Sequence, residues 1–368
     1  MAHTARTVLK WLVSLGVGGL FVWLAFDEWP IDRLLEGGLR IESGFLATDD
    51  WRVPLATLGL YFLSLVCMHA FRVWRWQPLM KPLAKVGFWT LNRVCSVGFM
   101  AVFLLPMRLG ELVRPALIST EVKVRRTAAL ATIVVERVVD GVMVAGFLAV
   151  ALLFMPRANT GSFIEIRLAT YLTLLIFGVA VVVLVVMFAF RQRVSDAVRA
   201  LTARLSGRKW AVRLGGFVDR FLLGLSIFPD VPNILWFLCL SFFYWFSNGI
   251  GLYLLASGFQ MMTPTGWGSF GVPLLGAFAM MAAIVVGMMI PNAPANVGSF
   301  WYFLLKPLEL YGVQPGNPAA LAYALTVWTL QLLQLLVFGG WFILRGQVSF
   351  RRAFAIGGAF QGEEDPAT

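Results

Sequence analysis

Apolar residues fall in long blocks along the chain, and polar residues collect between the blocks rather than alternating with them. Six blocks match a full bilayer crossing: 8–26, 53–74, 127–155, 168–190, 232–257 and 319–344. Each comes close to or exceeds the ~20 apolar residues that span a hydrocarbon core of about 30 Å. Two more apolar stretches, 86–120 and 267–311, are interrupted by proline and charge. A transmembrane barrel would show short alternating segments instead. The pattern predicts an all-α polytopic membrane protein.

The charges between the blocks fix how the chain threads, because basic loops stay on the cytoplasmic side. The loop after the first block carries Asp27, Glu28, Asp32, Glu36, Glu42, Asp49 and Asp50 against three arginines, which places it outside. The second block returns to the inner face, ending in Arg72 and Arg75, with Lys81, Lys85 and Arg93 beyond and with Trp74 and Trp76 as interfacial belt residues. A full crossing at 86–105 would strand Lys123, Arg125, Arg126 and the basic 191–220 region outside. A hairpin that enters and leaves on the inner side keeps all of them inside. The same treatment of 267–311 from the outer side puts Arg345, Arg351 and Arg352 inside. The expected architecture is about six full transmembrane helices plus two re-entrant helical hairpins arranged as an inverted repeat. Eight plain crossings is the alternative, and it violates the charge rule.

On this reading residues 1–345 form one transmembrane domain, with both termini cytoplasmic. The N-terminal block is a retained helix, since acidic "DEWP" follows it instead of a small-residue cleavage site. Residues 191–230 form a cytoplasmic connector, in which Val194, Val198, Leu201 and Leu205 recur at helical spacing as on an amphipathic helix lying on the inner leaflet. Residues 346–368 form a cytoplasmic tail.

The two hairpins turn at similar sequences, "PMRLGEL" from Pro106 and "PANVGSF" from Pro294, both reading P-x-[RN]-x-G-[ES]-[LF]. Proline ends the incoming helix and glycine lets the chain reverse. Non-helical backbone at membrane depth persists only inside protein or beside water, and opposed broken helices meeting near the midplane are how inverted-repeat transporters build substrate sites. The outgoing helix presents free N–H groups and a positive dipole end, which suits an anion. Arg108 and Arg114 reinforce that site, Gly110 and Glu111 lie in the turn, and Asn292, Asn296, Gly298 and Ser299 flank or form the second turn.

The third full crossing contains "VVERVVDG", which buries Glu136, Arg137 and Asp140 about ten residues into the block, roughly 15 Å deep. Each such charge costs roughly 2.5–3.5 kcal/mol to insert, so this face points into the bundle. Arg137 and Asp140 are three apart and can pair. Two roles stay open: a structural ion cluster joined by Arg108 or Arg114, or a part in anionic headgroup transit or proton coupling. For Asn248, Gln331 and Gln334, helix–helix hydrogen bonding is expected, and His69 is expected to be packed and satisfied.

Composition narrows the chemistry. The chain is 59% hydrophobic and 13% charged, so its net charge of +11 belongs to membrane-facing loops rather than to nucleic-acid binding. Three cysteines, all in apolar blocks, do not suggest a disulfide framework, and two histidines cannot build a multi-histidine metal site. There is no GxxxxGK[ST] phosphate loop. No cofactor or metal is expected.

"PMRLGELVRPALIS", followed by "ALATIVVERVVDG" and later by "PNAPANVGSF", resembles the transmembrane region of lysylphosphatidylglycerol synthases and of stand-alone flippase-like membrane proteins. The resemblance covers nearly the whole chain, to about residue 345. It implies movement of an anionic phospholipid or lipid-linked phosphate between leaflets, with Arg108, Glu111, Arg114, Glu136, Arg137 and Asp140 on the family's charged positions. Full-length synthases add a soluble aminoacyl-transferase domain after this region, so aminoacylation by this chain is not expected. The rival functions are a membrane enzyme acting on a lipid phosphate, with Glu111 or Glu136 as base, and a scaffold for a partner synthase or glycosyltransferase. Homo-oligomerisation stays open.

Overall fold

The computed structural model describes residues 2–28, 55–154, 161–204, 222, 230–260, 273–289, 293–311, 313 and 318–348. The acidic loop 29–54, most of the 205–229 connector, the tail beyond 348 and Asn292 lie outside the described residues. The described chain is helical with no strand. Each of the six predicted crossings is one helix: α1 (Ala2–Glu28), α2 (Leu55–Trp74), α6 (Arg126–Leu153), α7 (Gly161–Ala189), α9 (Val231–Gln260) and α12 (Pro318–Leu344). Between them lie α3 (Trp76–Met80), α4 (Phe88–Leu104), α5 (Val113–Glu121), α8 (Arg191–Arg204), α10 (Leu274–Met289) and α11 (Ser299–Leu305).

Among the described residues, Ala56–Met80, Val231–Gly258 and Ala320–Leu344 are long and apolar enough to cross a membrane by length and composition. Leu175–Met187 with Arg191–Val198 would make a fourth span, bent by 84°. α6 has 28 residues but carries three charges inside its apolar run. The surface agrees with a lipid solvent: α7 leaves Leu172, Leu175, Ile176, Val179 and Val183 exposed as one continuous apolar face, an area no water-soluble surface would show. Phe177 is its buried anchor, seated where Gly141 of α6 leaves room. α8 begins at the bend after α7, as the amphipathic spacing of 193–206 predicts.

The interrupted stretch 86–120 is a helical hairpin. Leu105, which precedes a proline, is extended at φ −86° and ψ 137°, and so ends α4. A 3₁₀ turn over Pro106–Leu112 then leads into α5. The two arms run antiparallel. Arg93 pairs with Glu121 at their open end, the Arg114 side chain lies against Gly98 halfway along, and Gly110 rests on the Ala101 and Val102 backbone at the tip. A methyl group on Gly110 would overlap that backbone.

The stretch 267–311 repeats the device. Ala293 is extended at ψ 158°, a 3₁₀ turn runs over Pro294–Asn296, and α11 returns along α10 with Phe303 beside Gly287. Ala295 and Asn296 sit at φ 58° and 52°, and Gly298 at φ 83°. Gly298 also presses on the α1 backbone between Gly18 and Val22, so it meets both a conformational and a steric demand that a side chain would violate. The Ala295 carbonyl accepts a 2.8 Å bond from Trp328 Nε1 of α12, which holds the turn in place.

The hairpins face each other. Ser119, near the open end of the first, accepts from Arg126 Nε at the start of α6. Phe278, near the open end of the second, stacks on Phe147 towards the far end of α6, with ring centroids 4.9 Å apart. Their tips approach from opposite ends of that helix, and α4 packs against the 294–296 turn while α1 touches both turns.

Candidate functional site

Four helical turns of the core hold charge. Glu136 is fully buried on α6 and lies between two arginines, receiving Arg75 Nη2 at 2.7 Å and Arg114 Nη1 at 2.9 Å. Asp140, one turn on, receives both Arg75 terminal nitrogens at 2.5 and 2.9 Å and Trp245 Nε1 at 3.0 Å. Arg137 reaches Asp140 at 3.4 Å, Glu136 at 3.6 Å and Glu111 at 3.9 Å. Aromatic faces complete the shell: Tyr244 lies 4.5 Å from the Arg75 guanidinium, and Phe99 and Trp76 lie 4.9 and 5.3 Å from that of Arg114. A charge cluster this dry persists only because almost every charge has a paired or π-face partner.

The residues singled out from the sequence therefore divide. Glu111, Arg114, Glu136, Arg137 and Asp140 come together in one network. Gly110 shapes the first tip. Asn296, Gly298 and Ser299 sit at the second tip, where the Ser299 hydroxyl donates to the Asn296 carbonyl at 3.2 Å. The side chain of Arg108 and all of Asn292 lie outside the described residues.

Two expectations need correction. Arg75 is not a cytoplasmic charge at a helix end. It is completely buried, because the helix continues past it through α3 to Met80. Val73, Trp76, Leu79 and Met80 carry an apolar face straight through this region, all buried, and that spacing is the signal a loop-charge reading overlooks. Trp76 is likewise no belt residue: it is buried and donates to Thr132 Oγ1 at 2.9 Å. Trp74, 41% exposed, does stay on the surface. His69 is packed as expected, bonded to Asn92 at 3.0 Å and Ser96 at 3.2 Å.

Beside the network lies a cavity of about 100 Å³, room for several waters or one small polar group. Both hairpins wall it, through Phe99 and Phe103 of α4 and Met281 and Met288 of α10. Its polar lining is Arg72, Arg137, Asn248, Gln331 and Gln334. Gln331 bonds the Tyr61 hydroxyl at 3.2 Å, the helix–helix role expected of it. Asn248 Oδ1 and Gln334 Nε2 are buried with no hydrogen-bond partner among the described residues. Arg72 lies with its guanidinium 3.7 Å from the Phe99 ring centre, its Nε buried and unbonded.

No curated protein and no solved structure gives a match to this chain. A family model does match: the lysylphosphatidylglycerol synthase TM region, over residues 11–339. That range includes both hairpins, the α6 charges and the cavity-lining residues, so sequence and geometry point the same way. The chain belongs to the family of the lysylphosphatidylglycerol synthase transmembrane region, membrane proteins related to lipid modification or transport.

Proposed function

We propose that the protein carries a lipid with an anionic headgroup, a phospholipid or a lipid-linked phosphate, between the leaflets of the cell membrane. The two hairpins are re-entrant, and the headgroup passes between their tips while the acyl chains remain in the bilayer. The observation that supports this reading is the polar cavity walled by both opposed hairpins, with cationic and amide groups facing inward. Buried polar groups of this kind in a membrane protein mark substrate and ion pathways. The Arg75–Glu136–Asp140–Arg114 network is the rigid wall of that path, since its charges are already satisfied by one another. Both termini face the cytoplasm, and the chain performs transport without chemistry on the lipid. With no nucleotide-binding loop in its sequence, it runs downhill or on an ion gradient.

Reconstitution into liposomes holding head-labelled anionic lipid tests the reading. Exchange between leaflets should run well above that of protein-free liposomes, with or without a pH gradient. Equal rates under both conditions would refute translocation. Co-purification with a synthase or glycosyltransferase, combined with no lipid movement, would favour a scaffold instead.

A further inference from the structure

A second cavity opens away from the hairpin tips, where α3 turns into α4 and α9 begins. Its volume is about 540 Å³, and Gln77, Lys81, Lys85, Val86, Asn233 and Trp236 line it. That size lies within the ~300–1,000 Å³ of sites that hold a compact ligand. Both lysines are exposed and make no ion pair among the described residues. Their polar neighbours are already engaged. Gln77 Nε2 donates to the Val86 carbonyl at 3.3 Å, and Asn233 gives its backbone N–H, at 3.3 Å, and its side-chain amide to Asp230. Arg93, at the open end of the first hairpin, is paired with Glu121. The Trp236 ring, 44% exposed, meets Trp74 edge-on at 5.6 Å and gives the groove an apolar side. The result is a cationic slot with an aromatic wall, whose two ammonium groups suit carboxylates.

The end of α12 aims the chain at this groove. Gly346, at φ 67°, donates to the Ile343 carbonyl at 2.9 Å, and Gln347 donates to the Phe342 carbonyl at 3.1 Å. This glycine cap stops the helix and folds the chain back on the bundle, so that Val348 is buried. Val348 belongs to the same buried cluster as Met80 and as Val86, a wall of the groove. Further along, the sequence carries Glu363, Glu364 and Asp365, its one run of three consecutive acids. Glu363 is fifteen residues past Val348, a separation that an extended chain covers up to about 50 Å, so reach does not limit the contact. We propose that the acidic segment 363–365 docks in the Lys81–Lys85 groove and ties the chain beyond α12 to the base of the first hairpin. Each ion pair in so wet a groove is weak. The tether compensates, because it holds the acids near the lysines at a roughly millimolar effective concentration.

Zero-length cross-linking of the full chain with a water-soluble carbodiimide tests the contact. The reagent joins an amine and a carboxylate as an amide only where the two touch, and itself takes up the water released. In neutral detergent, peptide mass spectrometry should find Lys81 or Lys85 joined to segment 363–365, about tenfold above any link from that segment to Lys123, an exposed lysine on the other arm of the hairpin. Lys81→Arg keeps the charge but cannot form the amide, and should leave the Lys85 link unchanged. Lys81→Glu reverses the charge and should cut the Lys85 link about tenfold. Both substitutions fall on an exposed side chain, so the fold is preserved. Equal linking of Lys123 and the groove lysines, or a Lys85 link that Lys81→Glu does not weaken, would overturn the proposal. Links that join heavy- and light-isotope chains in a mixed sample would also overturn it, giving the groove to the tail of a second copy. The same holds for links that form in neutral detergent but vanish in vesicles of equal parts phosphatidylcholine and phosphatidylglycerol, which would give the groove to lipid headgroups.

Discussion

Replacing Arg75 with methionine keeps an unbranched stem of similar reach and deletes the guanidinium. Three short hydrogen bonds go with it, at 2.5 and 2.9 Å to Asp140 and 2.7 Å to Glu136. The two acids stay where they are, 0% and 3% exposed. Removing one partner of a buried pair costs about 3–5 kcal/mol, because the other charge is left stranded. Arg114 still holds Glu136 at 2.9 Å, and Arg137 and Trp245 still hold Asp140, which argues for the lower end of that range. At roughly 2–4 °C per kcal/mol for a domain of 150–250 residues, the apparent melting temperature should fall on the order of 10 °C. The assay is the fraction of monodisperse protein after heating in detergent. Adding Asp140→Asn to Arg75→Met should recover part of the loss, since the stranded charge goes too. If Arg75→Met melts within about 2 °C of wild type, the buried network is not what holds α2, α6 and α9 together.

Two further outcomes follow from local geometry. Gly298→Ala should destabilise by more than about 1 kcal/mol, because φ 83° and the α1 backbone both oppose a side chain; Gly340→Ala, with no atom within 4 Å of the new methyl, should not lower the melting temperature. A melt of Gly298→Ala equal to wild type would show that the second turn is not locked against α1. Glu121→Ala breaks only the half-exposed pair with Arg93 and should change stability by less than about 1 kcal/mol in the same heating assay; a larger loss would mean the open end of the first hairpin is held by charge.

The helical blocks were legible because a span of apolar residues has one stable form in lipid, and six of the helices coincide with six such blocks. The two hairpins were legible for a different reason: proline forces the preceding residue out of the helix, and both Leu105 and Ala293 are extended as that rule requires. The charges of α6 announced that partners must exist, and Arg114 and Arg137 were readable among them, yet Arg75 was not. Arg75 lies 61 residues from Glu136 and 65 from Asp140, and a positive-inside argument assigns it to the inner end of its helix. Only the tertiary packing of α2 against α9, with α3 against α6, takes it into the core. Arg114 takes one of the two roles its motif left open, pairing with Glu136 at 2.9 Å. A polar pocket between the broken helices was readable, whereas the part of Arg72 in its lining was not, since Arg72, Asn248 and Gln334 share no motif and come from three separate helices.

Cysteine accessibility decides the central claim, that the broken helices enter and leave the membrane on one face. Single cysteines at Lys85 and Lys123, both exposed at the ends of the first hairpin, can be placed in a chain whose Cys67, Cys95 and Cys239 are replaced by alanine. A third cysteine at Pro273, exposed at the start of the second hairpin, reports the other face. A membrane-impermeant maleimide applied to oriented vesicles should label positions 85 and 123 from the same side and position 273 from the opposite side. Labelling of 85 and 123 from opposite sides would make the first hairpin a full crossing and remove the pocket between the tips.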